Sequence, residues 1–283
     1  MPMVCLSDFE AYAKKHLPKT TWDFFAAGAD ECCTRDGNLL AYRRIHFRPR
    51  ILRGMSVIDT RTMLLGTEIS FPVGIAPTGF HRLAWPDGEK STARAAEAMK
   101  TCYITSTYST CTVEEIAAAA PNGFRWFQLY IHRNRALSEG LVRRVEAAGF
   151  QGLVLTADLP YPGKRRDDIR NSFQLPPHMT VKNFEGVFEI DALIEIVDAV
   201  QDRAEVYLDG GIRTGSDVLK ALALGAKCVF LGRPALWGLT YKGEEGLREV
   251  LQILHDEFRL SMALAGCHNV SEIDLNLVQF SRL

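Results

Sequence analysis

Two glycine-rich segments near the C-terminus contain the residue types that bind phosphate groups. Each segment directly follows a short apolar run that is typical of a buried strand. Glycine lets peptide N–H groups approach an anion closely, and an arginine guanidinium can donate two hydrogen bonds to one phosphate. The candidate residues are Asp209, Gly210, Gly211, Ile212, Arg213, Gly232 and Arg233. Their types and spacing predict a phosphate site, and the alternative is a pair of ordinary tight turns.

The other predicted strands also end in segments that carry polar side chains. The residues of these strand ends are Pro77, Thr78, Gly79, Ser106, Gln128, Tyr130, Thr156 and Asp158. In a barrel of parallel strands the C-terminal strand ends face the active site, whereas polar groups without partners inside the barrel would be costly. Any single one of them could be an ordinary strand terminus. Taken together, they predict a surface that hydrogen-bonds a flat cofactor ring.

The elements that must position these residues alternate between strand and helix from residue 69 onward. The first strand is predicted over 69–76 and the third over 124–130, and a final helix runs from about Glu244 to Ala265. Six strands are predicted, whereas a complete TIM-type barrel has eight. No strand or helix is predicted between Asp158 and about Ile190. We therefore predict an α/β protein of the (β/α)8 TIM-barrel type that lacks the fifth and sixth β/α units.

A single domain is predicted to span residues 1–283. It comprises a helical extension over 1–68, the first four β/α units with a long loop over 69–189, and the last two units with a C-terminal helix over 190–283. The 47% of hydrophobic residues suffice for a core of this size.

The charge balance points to a small-molecule partner. The chain has 33 Lys+Arg and 34 Asp+Glu, which gives no basic field for a nucleic acid. No run approaches the roughly 18 apolar residues of a membrane span, so a soluble intracellular protein without a membrane partner is expected. The seven cysteines show no C-x-x-C spacing, and no metal site is predicted.

The last three residues could address the protein to an organelle. Ser281, Arg282 and Leu283 form a basic variant of the Ser-Lys-Leu signal that the peroxisomal import receptor reads. A frayed tail is the alternative. The tripeptide predicts a peroxisomal location.

Six stretches make almost the whole chain similar to the FMN-dependent 2-hydroxy acid oxidase family. They are Ile75–Gly79, Phe127–Tyr130, Leu175–Pro177, Lys182–Gly186, Leu208–Gly211 and Ala221–Ala226. The resemblance implies FMN across the barrel mouth and oxidation of small (S)-2-hydroxy acids to 2-oxo acids, with O2 reduced to H2O2. It also implies a homo-oligomer.

The matching positions imply roles for individual residues. The FMN phosphate is assigned to residues 209–213 and to Gly232 with Arg233. The ring side is assigned to Pro77, Thr78, Gly79, Ser106, Gln128 and Thr156. Substrate contacts are assigned to Tyr130, Arg165 and Phe24. At position 24 the family often has a tyrosine, so Phe24 replaces a donor with an apolar wall that suits bulkier substrates; for Arg165 the alternative is a solvated loop residue.

The chain departs from the family where the reaction needs its base. The family has a lysine at the end of the fifth strand and a Ser-Asn-His-Gly-x-Arg motif after the sixth, and this sequence contains neither. The similarity stops after Glu189 and resumes at Ile190, where the strand and helix alternation also breaks. No catalytic residue is therefore assigned, and ordinary oxidase activity is not predicted. The fourth and seventh strands of the family are expected to form a new pair or to expose their edges.

Other histidines are weak substitutes for the absent base. His81, His132 and His178 lie in loops that could approach the mouth, but the sequence indicates no orienting partner for any of them. His16, His46, His255 and His268 are interpreted as surface or packing residues. Two alternatives to a shortened oxidase stay open: a non-catalytic FMN-binding or interaction protein, and another phosphate-binding barrel enzyme without flavin.

Overall fold

The computed structural model describes residues 2–132, 134–157, 163–184 and 205–280. The N-terminal extension is helical, as predicted. Its helices and first strand are α1 (Leu6–His16), α2 (Lys19–Ala26), α3 (Cys33–Ala41) and β1 (Ile45–Phe47). A hairpin of β2 (Thr62–Leu64) and β3 (Thr67–Ile69) follows.

Strands and helices then alternate through the rest of the described chain. The elements are β4 (Val73–Ile75), α4 (Glu89–Ala98), β5 (Tyr103–Thr105), α5 (Val113–Ala119), β6 (Arg125–Leu129), α6 (Arg135–Ala147), β7 (Gly152–Leu155), α7 (Arg166–Arg170), β8 (Tyr207–Asp209), α8 (Gly215–Ala223), β9 (Cys228–Leu231), α9 (Arg233–Ala265) and β10 (Val278–Phe280). Strand β10 pairs with β1 and thereby connects the C-terminal part of the chain to the N-terminal extension.

Three predicted boundaries are wrong. The strand expected over 69–76 is divided, because Ile69 ends the β2–β3 hairpin and the sheet strand β4 begins at Val73, after Pro72, which has no N–H for the ladder. The loop expected after Asp158 contains the short helix α7. The final helix begins at Arg233 instead of Glu244, with a kink at Lys242 and Gly243.

Six parallel strands form one sheet in the order β7-β6-β5-β4-β9-β8. Strand β4 pairs with the late strand β9, which is the pairing that closes a barrel where its last unit meets its first. In the described part of the chain, β7 and β8 each have one partner strand and therefore lie at the edges. The predicted barrel with two missing units is confirmed, and within the described ranges β7 and β8 do not pair with each other.

The interior of this incomplete barrel is filled by large side chains. Trp126, Phe230 and Tyr207 approach one another with ring centroids 5.8 to 6.1 Å apart. Leu64 and Ile69 of the hairpin belong to the same cluster. A larger core lies between the sheet and helices α1, α4, α8 and α9. Within the described ranges, none of the helices has the length and apolarity that a membrane crossing requires.

Candidate functional site

A cavity of about 330 Å³ lies at the C-terminal ends of β4, β8 and β9. Twelve of the predicted site residues line it: Phe24, Pro77, Thr78, Gly79, Arg165, Asp209, Gly210, Gly211, Ile212, Arg213, Gly232 and Arg233. They come from the N-terminal extension, three strand ends and the loop before α7. The two glycine-rich segments thus share one rim.

The first glycine-rich segment owes its shape to conformations that favour glycine. Gly210 and Gly211 have φ values of +92° and +80°, which L-residues rarely adopt. A Cβ at Gly211 would overlap the backbone oxygen of Asn38, so a side chain is excluded there by space as well. The Tyr42 hydroxyl donates to the Gly210 carbonyl at 3.0 Å. The extension therefore holds this segment against the end of β8.

Arg213 is the cation of the first segment. Its backbone N–H and that of Thr214 donate to Asp217 Oδ2 at 3.1 and 3.0 Å, so the acidic residue fixes the turn into α8. Burial lowers the pKa of Arg213, and the carboxylate of Glu10, 4.0 Å from Nε, opposes that effect. A guanidinium that is mostly removed from water favours a bound anion as partner.

Arg233 is the cation of the second segment, and it is the first residue of α9. Its guanidinium donates to the carbonyls of Phe25 at 3.0 Å and Ala27 at 3.1 Å. Burial lowers the pKa of Arg233, and the charge of Arg213 lowers it further. Two cations that repel each other beside a helix N-terminus would both be stabilised by a phosphate. The donor set therefore fits the phosphate end of FMN.

Three further predicted ring contacts lie outside this cavity, on the neighbouring strand ends. Gln128 Nε2 donates to Thr156 Oγ1 at 2.8 Å, and Ser106 Oγ is 3.5 Å from Gln128 Oε1. Ser106 and Gln128 are buried. The structure brings these three residues together as one hydrogen-bonded row across β5, β6 and β7. Tyr130 extends the row, with its ring 5.3 Å from that of Tyr108.

Arg165 and Phe24 form the wall next to the extension. Arg165 lies over the Phe24 ring, 5.1 Å from its centroid, and its guanidinium donates to the Phe24 carbonyl and to Asp168. These contacts hold the Arg165 side chain at the cavity, where 40% of it stays exposed, and its contact with substrate stays a prediction. The Phe24 ring stacks on Phe173 at 4.3 Å, which gives the predicted apolar wall.

All seven histidines lie in the described ranges, and none lines the cavity. His178 is exposed, whereas His132 is buried and its backbone N–H donates to Ser138 Oγ. For His81 the expectation of no orienting partner is wrong. Its ring nitrogens are 2.5 Å from Thr78 Oγ1 and 2.8 Å from Thr92 Oγ1.

The remaining histidines are surface or packing residues, as interpreted from the sequence. His16 and His46 are exposed, His255 packs on Phe71, and His268 pairs with Glu272. Among the described residues no group of three metal-ligating side chains occurs. The tripeptide Ser281, Arg282 and Leu283 lies outside the described residues, as does Asp158.

Comparison with known proteins identifies relatives over the full length of the chain. The sequence model of the FMN-dependent dehydrogenase family matches residues 13–189 and 185–280. The chain is 49% identical to 2-hydroxyacid oxidase 2 of Bos taurus over 353 aligned residues and to that of Homo sapiens over 351, with all of each chain covered. A solved structure of mandelate oxidase with (S)-2-phenylpropionate superposes with a TM-score of 0.90 at 34% identity, covering all of both chains.

The alignments also show a gap. The bovine alignment has 353 positions and this chain has 283 residues, so roughly 70 aligned positions have no counterpart here. The two family matches meet at residues 185–189. Both findings agree with the interruption predicted after Glu189.

Proposed function

The chain belongs to the family of FMN-dependent dehydrogenases, and we propose that it is a shortened 2-hydroxy acid oxidase that binds FMN but turns over slowly or not at all. The family reaction is the FMN-dependent oxidation of an (S)-2-hydroxy acid to a 2-oxo acid, with O2 reduced to H2O2. When bound, FMN supplies the electron acceptor for the substrate carbon and passes the electrons to O2. The cavity at the ends of β4, β8 and β9 is the observation that carries the proposal.

The retained residues account for binding. Arg213 and Arg233 hold the phosphate, and the backbone of 77–79 flanks the ring. The row of Ser106, Gln128 and Thr156 continues that surface with hydrogen-bonding groups. Arg165 presents a planar cation to the substrate carboxylate beside the apolar wall of Phe24, which favours acids with bulky or long apolar chains.

The absent residues account for the slow turnover. The reaction requires a base that removes the hydroxyl proton, and none of the seven histidines lines the cavity. A positioned general base contributes about 10²- to 10⁴-fold in rate, so we expect its absence alone to lower kcat by about that factor. The loss of the family lysine and of the second arginine lowers it further.

An anaerobic reduction experiment tests the proposal. The purified chain is titrated with FMN, and the complex is mixed with a long-chain 2-hydroxy acid while the visible flavin band is recorded. We expect a yellow complex whose band bleaches far more slowly than that of human 2-hydroxyacid oxidase 2 under the same conditions. Bleaching at the rate of the human enzyme would refute the impaired activity. Failure of the folded chain to bind FMN would refute the proposed site and favour a phosphate-binding barrel without flavin.

A non-catalytic FMN-binding or interaction protein is the second candidate. The same two observations favour it. The phosphate rim, formed by residues 209–213 with Gly232 and Arg233, is intact, and no histidine lines the cavity. Because the first proposal also allows no turnover, the expectation that distinguishes this candidate is stable association with the full-length oxidase. Sedimentation of a mixture of the two proteins measures that association and also the proposed homo-oligomer.

We also propose that Ser281, Arg282 and Leu283 direct the protein to peroxisomes through the import receptor. The test is a fluorescent protein fused to the N-terminus, which leaves these residues at the free C-terminus. Punctate fluorescence that colocalises with a peroxisomal marker is expected. Removal of the three residues should disperse it, and a punctate signal that survives their removal contradicts the proposal.

A further inference from the structure

His81 connects helix α4 to the wall of the cavity although it does not line the cavity itself. Its side chain is fully buried. Nε2 is 2.5 Å from the hydroxyl of Thr78, which lines the cavity, and Nδ1 is 2.8 Å from the hydroxyl of Thr92 on α4. Each ring nitrogen thus contacts one threonine.

The backbone around His81 is held as firmly as its ring. The His81 N–H donates to Glu89 Oε1 at 3.1 Å, and the same buried carboxylate accepts from the N–H of Thr110 at 2.8 Å and from its hydroxyl at 2.6 Å. Phe80, directly before His81, has a φ of +62°, which a bulky residue adopts only when its surroundings impose it. The turn is therefore shaped to place this imidazole behind Thr78.

A neutral imidazole has one donor and one acceptor nitrogen, so its tautomer decides what Thr78 offers to the cavity. If Nε2 carries the proton, it donates to Thr78 Oγ1, and the Thr78 hydroxyl hydrogen points elsewhere as a donor. If Nδ1 carries the proton, the Thr78 hydroxyl must donate to Nε2. Burial lowers the pKa of His81, which keeps the ring neutral near pH 7.

We infer that His81 is a positioning residue: its Nε2–H donates to Thr78 Oγ1 and so makes the Thr78 hydroxyl a donor toward the cofactor. The polar edge of an oxidised isoalloxazine consists mainly of acceptors, namely two carbonyl oxygens and two imine nitrogens beside one N–H. A hydroxyl with a fixed donor direction matches that edge. The inference rests on the proposed FMN site.

A second histidine and threonine pair provides a matched control. His255 Nε2 is 2.9 Å from Thr60 Oγ1, and the His255 ring packs on Phe71 at 4.9 Å. Neither residue lines the cavity. Loss of this contact should lower the melting temperature without changing the affinity for FMN.

The test measures the Kd for FMN by fluorescence quenching, the visible spectrum of the complex and the melting temperature without FMN. Glutamine can place its amide nitrogen near the position of Nε2, whereas asparagine reaches only the position of Nδ1. We expect His81→Gln to bind FMN within about threefold of the wild type and His81→Asn to bind about tenfold more weakly, because it loses the hydrogen bond to Thr78. Thr78→Val should show the same tenfold loss and a shifted flavin band, whereas Thr78→Ser should show neither.

The double variant decides whether the two residues act through one another. His81→Asn combined with Thr78→Val should bind no more weakly than either single variant, and His255→Leu should leave the Kd unchanged. Additive losses, or equal affinities for His81→Gln and His81→Asn, would overturn the inference while leaving the proposed function intact. A folded wild-type chain that does not bind FMN would overturn both.

Discussion

The central strands of the sheet are buried more completely than its two edge strands. Strands β4, β5, β6 and β9 are buried along their whole length. The edge strands β7 and β8 are not, and Leu153 on β7 is 51% exposed while Val206, next to β8, is 65% exposed. The phosphate rim lies where β8 meets β9, on the side that the N-terminal extension supports.

This difference supports the proposal that FMN binding and turnover depend on separate parts of the barrel. The phosphate rim is held by contacts that survive without the missing units, such as Tyr42 to Gly210 and Arg233 to the carbonyls of the extension. The base of the family and its second carboxylate-binding arginine belong to the segment that is absent. We therefore expect this incomplete barrel to keep the residues that bind FMN while it lacks the catalytic base.

The largest expected effect follows from restoring the missing side. Inserting the roughly 70 absent positions of bovine 2-hydroxyacid oxidase 2 at residue 189 closes both edges and supplies the base. We expect kcat for a 2-hydroxy acid to rise by more than the roughly 10²- to 10⁴-fold that a general base contributes, because the lysine and the second arginine of the family return as well. The measurement is anaerobic flavin reduction in a stopped-flow instrument.

The control is the same insertion with the histidine of the family motif replaced by asparagine. It should close the edges and restore the lysine and the second arginine, but its kcat should stay about 10²- to 10⁴-fold below that of the full insertion. If the control were as active as the full insertion, barrel closure rather than the base would limit turnover.

The next effect concerns the cofactor rim. Arg233→Met removes a partly buried cation and its hydrogen bonds. Because hydrogen bonds to charged groups contribute about 1.5 to 3 kcal/mol, we expect the Kd for FMN to rise about 10- to 100-fold. Arg233→Lys keeps the charge but not the planar guanidinium, so its Kd for FMN should lie between those of the wild type and Arg233→Met. The exposed Arg43 is the matched control, and Arg43→Met should leave the Kd unchanged.

The sequence predicts those features of the site that are determined by residues close together in the chain. Gly210 and Gly211 are identifiable from the sequence because a tight turn after a strand needs glycine there, which is a rule about neighbouring residues. The start of α9 at Arg233 is not predicted, although Pro234 is a common signal at a helix start. The kink at Lys242 and Gly243 hides that signal, because the regular apolar periodicity begins after it.

The hydrogen-bond partners of His81 cannot be predicted from neighbouring residues in the sequence. Thr92 lies 11 residues away on a helix, and Thr78 lies on the loop after β4, so only the packing of α4 against the sheet brings them to one imidazole. The open edges are predictable in kind because a strand count of six is visible in the sequence. Whether β7 and β8 pair with each other depends on the distance between them, which is a property of the whole sheet.

A smaller effect concerns the edges themselves. Exposed apolar side chains beside unpaired N–H and C=O groups favour association between chains. Leu153→Lys combined with Val206→Lys should therefore reduce concentration-dependent light scattering several-fold while changing the Kd for FMN by less than twofold. Leu264→Lys, at a 69% exposed position on α9, is the control and should not change the scattering. An equal reduction by the control would show that the edges are not the adhesive surface.

The smallest effect should come from an ion pair between helices α5 and α6. Arg144 on α6 donates to both carboxylate oxygens of Glu114 on α5, at 2.8 and 2.9 Å, and these hydrogen bonds lower the pKa of Glu114 to about 2. Because the folded pKa is depressed, the stabilisation is present above the unfolded pKa of about 4.5 and is lost as the pH falls toward 2. Both side chains are about half exposed, so screening limits the contribution to about 0.2 to 1 kcal/mol. Glu114→Gln should lower the free energy of unfolding, measured in urea, by that amount at pH 7 and should leave it unchanged near pH 2. The control is Glu139→Gln, which removes the more exposed pair with Arg143 on α6 and should have a smaller effect at pH 7. A loss that is equal at both pH values would assign the stabilisation to packing of the side chain instead of its charge.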